Sequence, residues 1–98
     1  KLERIKRYRK VVDMLKDIYN GKCQICGFTF VKNNDRNYSE AHHLDPLSLG
    51  GSQDEDNVVI LCANHHRMLH YGKNVIIGDR IDNSRIVKVN DKELIIKY

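Results

Sequence analysis

Eight thiol and imidazole side chains fall into tight clusters along this chain, and their spacing constrains the fold more than any other feature. Cys23-Gln24-Ile25-Cys26 is one pair, and Cys62-Ala63-Asn64-His65 is a second at the same spacing. The five histidines stand at positions 42, 43, 65, 66 and 70. Two thiolates two residues apart form a tight knuckle that presents both sulfurs to one zinc ion, which needs two further ligands to close its tetrahedron. Cys23, Cys26, Cys62 and His65 together predict a closed Cys₃His zinc site of structural type. Three cysteines, an odd number, do not suit a secreted disulfide scaffold. A redox-active cysteine pair is the plainer alternative. A competing ligand assignment pairs Cys62 with His66, four residues on, and leaves His65 unpaired.

A second cluster remains once those four residues are set aside. On a helix, His66 and His70 lie about 40° apart on one face, while His65 is turned about 100° from His66. One helix can then serve two metals. His42 and His43 are adjacent, so on a strand they point to opposite faces. At a strand end close to Pro46, both can reach one cleft.

Apolar residues at Leu2, Ile5, Tyr8, Val12, Leu15, Ile18 and Tyr19 predict an amphipathic helix over 2–19, ended by Asn20-Gly21. Phe28–Val31 reads as a short strand, 33–37 as a polar turn, and Tyr38–Leu44 as the returning strand. Residues 45–57, rich in turn formers and acids, read as an ordered loop. Val58–Leu61 is a buried-type strand, and Ala63–Tyr71 a short helix stopped by Gly72. Val75–Ile77, Arg85–Val89 and Glu93–Tyr98 read as strands, the last two forming a terminal hairpin around Asn90-Asp91. The expected organisation is a single α+β domain over 1–98, with a basic helix at 1–20, a zinc-stapled core at 21–72 and strands at 73–98. Lys1 in place of Met points to a piece of a longer protein.

The formal charge of +4 is concentrated. Residues 1–20 hold seven Lys/Arg against three acids, and residues 21–98 hold ten against ten. A basic stretch is the electrostatic footprint of a polyanion partner, and equally of a solvated helix face. Arg4, Arg7 and Lys10, three apart on one side of the helix, are the leading candidates for backbone contacts with DNA; Arg67, Lys73 and Arg80 are weaker ones. No apolar run approaches the length that spans a bilayer.

In order, the chain reads Cys23-x-x-Cys26, Glu40-x-His42-His43, Asn57, Cys62-x-x-His65, His66-x-x-x-His70. Over Cys23–Gly72, about half its length, it resembles the HNH endonucleases, whose ββα-metal fold clasps one catalytic divalent ion between a strand pair and a helix. The pieces Glu40–His43 and Gly50–Asn57 look most like the zinc-bearing HNH domains of bacterial restriction enzymes. The resemblance implies His43 as general base. It implies His42 and His66 as ligands of the catalytic ion, and His70 as a further ligand or a phosphate contact. Asn57 would hold the loop and orient the base, and Glu40 would support the strand. The last zinc ligand in that family is commonly Cys, and here it is His65.

The resemblance thus implies a metal-dependent DNA endonuclease domain, cytoplasmic, acting on double-stranded DNA. A recognition domain would lie outside this chain, and two copies or two events would be needed for double-strand cleavage. The structural ion would be Zn²⁺ and the catalytic ion Mg²⁺ or, since imidazole suits them better, Mn²⁺, Co²⁺ or Ni²⁺. The alternative is a non-catalytic zinc module that binds nucleic acid or protein. Such a module needs only the Cys₃His set and has no use for His42, His43, Asn57, His66 and His70 together.

Overall fold

A computed structural model describes residues 2–44 and 55–98. Residues 45–54, most of the expected loop, lie outside the described residues. Helix α1 (Leu2–Ile18) is followed by strand β1 (Glu40–His43), a 3₁₀ turn (Glu55–Asn57), strand β2 (Val58–Leu61) and helix α2 (Ala63–Tyr71). Strands β3 (Ile76–Ile81), β4 (Ser84–Val89) and β5 (Lys92–Lys97) close the chain.

The four-residue run Val58-Val59-Ile60-Leu61 explains the architecture. All four side chains are buried, so β2 needs cover on both faces. Val58 and Ile60 pack with Val12 and Leu15 of α1, and Val59 and Leu61 with Leu69 of α2 and with Val87, Val89 and Ile96 of the C-terminal sheet. Each such burial contributes roughly 1.5–3 kcal/mol. Helix α1 ends as its sequence predicts. Asn20 (φ 53°) and Gly21 (φ 70°) take left-handed conformations, with Gly21 N–H donating to Lys16 O at 2.9 Å and Asn20 N–H to Asp17 O at 3.2 Å.

One sequence expectation needs correction. Strand β1 pairs with β2, antiparallel, with Glu40 opposite Leu61 and His43 opposite Val58, rather than with Phe28–Val31. The earlier segment is tied to the cysteine knuckle, where Cys23 N–H donates to Phe28 O at 3.0 Å and Gly27 N–H to Cys23 O at 2.7 Å. What remains of it meets the returning chain in a short hairpin, through the Val31–Asn37 bridge and Tyr38 N–H donating to Phe30 O at 2.9 Å. At the C-terminus the expected hairpin forms, and β3 joins it to make a three-stranded antiparallel meander, β3-β4-β5. Asn90 (φ 52°) and Asp91 (φ 66°) form its β4–β5 turn with the two left-handed residues that a tight hairpin needs.

Gln24, inside the knuckle, joins the two sheets. Its side-chain amide donates to Lys97 O and accepts from Ile60 N–H, both at 2.8 Å. Its backbone N–H also donates to Ile60 O at 2.8 Å.

Candidate metal centres and active site

The knuckle and the start of α2 bring Cys23, Cys26, Cys62 and His65 together, with one ligand atom from each lying within 4.8 Å of the others. Cys26 Sγ is 3.8 Å from Cys62 Sγ, and His65 Nδ1 is 3.4 Å from Cys62 Sγ and 3.6 Å from Cys23 Sγ. A tetrahedron with Zn–S near 2.3 Å and Zn–N near 2.0 Å has edges of about 3.8 Å between sulfurs and about 3.5 Å between sulfur and nitrogen. The donor set fits zinc by type and by size. Burial works against the Cys23 thiolate, but the N–H groups around it outweigh burial and lower its pKa. Cys26 is pushed up to about 11 by burial and by the neighbouring Cys23 sulfur. A divalent cation between the sulfurs turns that repulsion into attraction. Burial also lowers the pKa of His65, favouring the neutral imidazole that a metal requires. His66 is not in this cluster, and the geometry groups Cys62 with His65.

The second cluster is His42, His66 and His70. Side-chain alternation along β1 builds it. Glu40 and His42, opposite Leu61 and Val59, face α2, while Ala41 and His43, opposite Ile60 and Val58, face α1. His70 Nε2 stands 3.2 Å from His42 Nδ1 and 3.1 Å from His66 Nε2. At a metal–nitrogen distance near 2.05 Å, edges of about 2.9–3.4 Å correspond to octahedral or tetrahedral angles. These three nitrogens therefore fit one divalent ion and leave further positions open. His42 is buried, and burial together with the neighbouring histidines depresses its pKa to about 4.

Behind the trio stands a carboxylate. Glu40 Oε1 lies 2.5 Å from His66 Nδ1, and its other oxygen accepts the hydroxyl of Tyr38. The Tyr38 hydroxyl first, then His66, holds the Glu40 pKa below its ordinary value, and the carboxylate in turn raises that of Tyr38. With the proton on His66 Nδ1 facing Glu40, Nε2 would be free to bind a metal. Sequence reasoning assigned Glu40 to strand support and missed Tyr38; the signal was Tyr38 standing two residues before Glu40, on the same face of an extended chain.

His43 stays off both clusters. Its ring stacks on Tyr8 of α1, with centroids 5.0 Å apart and planes 22° apart, and its Nε2 is buried without a hydrogen-bond partner. Burial lowers its pKa. A cleft of about 460 Å³ is lined by His43 together with His42, His66 and His70, so both β1 histidines border one space. Tyr8 was read from the sequence as part of the helix's apolar face, which it is, but it carries this stack as well. Asn57 is buried at the start of β2, and its carbonyl accepts Leu44 N–H at 2.9 Å just beyond the His43–Val58 pair.

Of the candidate DNA contacts, Arg7, Lys10, Arg67 and Lys73 are exposed, and the Arg4 side chain lies outside the described residues. Arg80 is engaged elsewhere. It donates to Asp56 at 2.6 Å and covers the Tyr98 ring at 3.9 Å, pinning the 3₁₀ turn to the meander. Among the described residues, no helix is long and apolar enough to cross a membrane.

The sequence profile of the HNH endonucleases matches residues 23–72, more than half of the chain, and the chain belongs to that family. The stretch holds both metal clusters. The chain is 50% identical over 56 residues to the type IV methyl-directed restriction enzyme EcoKMcrA of Escherichia coli (strain K12), which covers 55% of this chain and 20% of that enzyme. It is 33% identical over 66 residues to Anaredoxin of Nostoc sp. (strain PCC 7120 / SAG 25.82 / UTEX 2576), covering 67% of this chain and 79% of that protein. The solved structure of the modification dependent TagI restriction endonuclease aligns with a TM-score of 0.69 at 25% identity, over 91% of this chain and 30% of that one. The chain thus spans only a fifth of the E. coli enzyme and under a third of TagI.

Proposed function

We propose that this chain is the DNA-cutting domain of a restriction enzyme, a single HNH unit over 1–98 that hydrolyses phosphodiester bonds in double-stranded DNA. The observation that carries this reading is the convergence of three histidine nitrogens within 4.8 Å, with His43 beside them and outside the cluster. A zinc-binding module has no need of that second cluster. In this reading recognition of the target belongs to a domain outside the chain, cleavage of both strands takes two copies or two events, and the setting is cytoplasmic.

His42, His66 and His70 would hold Mg²⁺, Mn²⁺, Co²⁺ or Ni²⁺, and the bound ion supplies charge stabilisation to the scissile phosphate and the leaving oxygen. His43, which lines the cleft beside the trio, takes the proton from the attacking water. Its buried, depressed pKa keeps it unprotonated at neutral pH, and the Tyr8 ring fixes its plane. Asn57 orients His43 from the end of the 3₁₀ turn, just before β2. Glu40 holds His66 in its ligating tautomer, and Cys23, Cys26, Cys62 and His65 bind Zn²⁺ to fix the start of α2 beside β1. Arg4, Arg7, Lys10, Arg67 and Lys73 contact the DNA backbone.

The test is cleavage of supercoiled plasmid by the zinc-loaded chain with each divalent ion in turn. Ion-dependent conversion to nicked circles supports the reading. A folded, zinc-loaded chain that takes up no second ion at the histidines and cuts nothing overturns it in favour of the zinc module.

A further inference from the structure

Two phenylalanines stand out on the surface. Phe28 is 56% exposed and Phe30 49%, and neither joins the core clusters of the described residues. They are not loosely held. Phe30 stacks on Tyr38 with centroids 5.0 Å apart and planes 11° apart, and Phe28 leans on Phe30 at 6.2 Å. The hairpin beneath them is tied down by Thr29 Oγ1, which donates to Tyr38 O at 2.8 Å, and by Asn37 Nδ2, which donates to Asn20 O at 2.8 Å. It also sits hard against the end of α1, where a side chain on Gly21 would come within 2.9 Å of Asn37 Cβ.

The ladder of rings leads directly to the histidine trio. Tyr38, its last ring, donates to Glu40, and Glu40 meets His66. The surroundings favour a polyanion. Lys16, Lys32 and Arg36 line a cleft of about 620 Å³ beside the hairpin, against Asp13 and Asp17, and the charge of Arg67 reaches both Tyr38 and Glu40. Exposed aromatic faces on a hairpin that also carries the cations Lys32 and Arg36 suit nucleobases, because every base has a π-face and a phosphate attached. In a paired duplex those faces are already stacked, so the occupant must be unpaired.

We propose that Phe28 and Phe30, continued by Tyr38, form a stacking site for an unpaired nucleobase next to the phosphate that the histidine trio addresses. This rests on the nuclease reading and deepens it: the preferred substrate carries a bulged, mismatched or single-stranded nucleotide beside the cut. The site reads base faces and carries little sequence preference.

The test measures binding, so it stands apart from cleavage. A short duplex with one unpaired 2-aminopurine and its fully paired counterpart are titrated with the zinc-loaded chain, without added divalent ion, following anisotropy and 2-aminopurine fluorescence. The expected result is tighter binding of the bulged duplex with quenching of its fluorophore. Phe28→Ala and Phe30→Ala should each weaken that binding about five- to 150-fold, the worth of one base–aromatic stack. The paired duplex should bind unchanged, and Phe28→Tyr should retain both tight binding and quenching. Phe28 is too exposed for its truncation to unfold the chain, so that variant decides the matter if Phe30→Ala is unstable. Wild-type affinity in Phe28→Ala, absence of quenching, or an equal loss on both duplexes overturns the proposal. Failure of the nuclease reading would appear separately, as absence of ion-dependent plasmid cutting.

Discussion

Removing the carboxylate behind His66 separates positioning from ligation. Glu40 Oε1 lies 2.5 Å from His66 Nδ1, and the two side chains are about one-quarter and one-fifth exposed. At that exposure the Glu40–His66 contact itself adds at most about 1 kcal/mol to folding, so Glu40→Ala should leave the melting temperature of the zinc-loaded chain nearly unchanged. Its effect on the ion should be larger. Partners of metal-ligating histidines are worth about 10–100-fold in metal affinity, or roughly 1.4–2.7 kcal/mol. Glu40→Gln keeps one acceptor for the Nδ1 proton and loses only the charge, which places it near the lower bound. Glu40→Ala leaves Nδ1 without an acceptor and lets the proton move to Nε2, which places it near the upper. Isothermal titration of the zinc-loaded protein with Mn²⁺ or Co²⁺ measures both. Equal affinity for wild type and Glu40→Ala would refute the argument that this carboxylate sets the tautomer.

Three further outcomes are expected. Cys26→Ala should abolish the cooperative melt, and a strong chelator should do the same to the wild type, because zinc binding energies of about 10–16 kcal/mol in small domains exceed the usual margin of stability. Gly72→Ala should lower the urea midpoint by the equivalent of about 1–3 kcal/mol, since its Cβ would fall 2.2 Å from buried Val89 Cγ1 and 2.5 Å from the Met68 carbonyl. Gln24→Ala should cost about 1–3 kcal/mol for each backbone group left unpaired, at Ile60 N–H and Lys97 O, read by the same denaturation.

Much of the core was legible because the ligand spacings and the hydrophobic run at 58–61 leave few solutions. Helix α2 follows from the periodicity of 63–71, and α1 from the apolar stripe ended by Asn20-Gly21. The pairing partner of β1 was not legible, since Phe28–Val31 has a strand's composition and only the knuckle's own hydrogen bonds divert it. Strand β3 was read short because Gly78, Asp79 and Arg80 interrupt its apolar pattern, and the register indeed shifts between Ile77 and Arg80. That the two β1 histidines face opposite sides, His42 toward α2 and His43 toward α1, follows from alternation, but their neighbours do not. The Tyr8 stack and the Tyr38–Glu40–His66 chain join residues distant in sequence or read as apolar, and Gln24 bridges two sheets from a position that looks like a knuckle spacer.

In the proposed reaction β1 divides the labour, with His42 on the ion and His43 on the water. Single-turnover plasmid cleavage by wild type and His43→Ala, at matched zinc content and with ion binding measured on the same samples, tests it most directly. The account predicts that His43→Ala binds the second ion as wild type does and cuts about 10²–10⁴-fold more slowly, the worth of a general base. Cleavage by His43→Ala at the wild-type rate, or loss of the ion along with the activity, would contradict it.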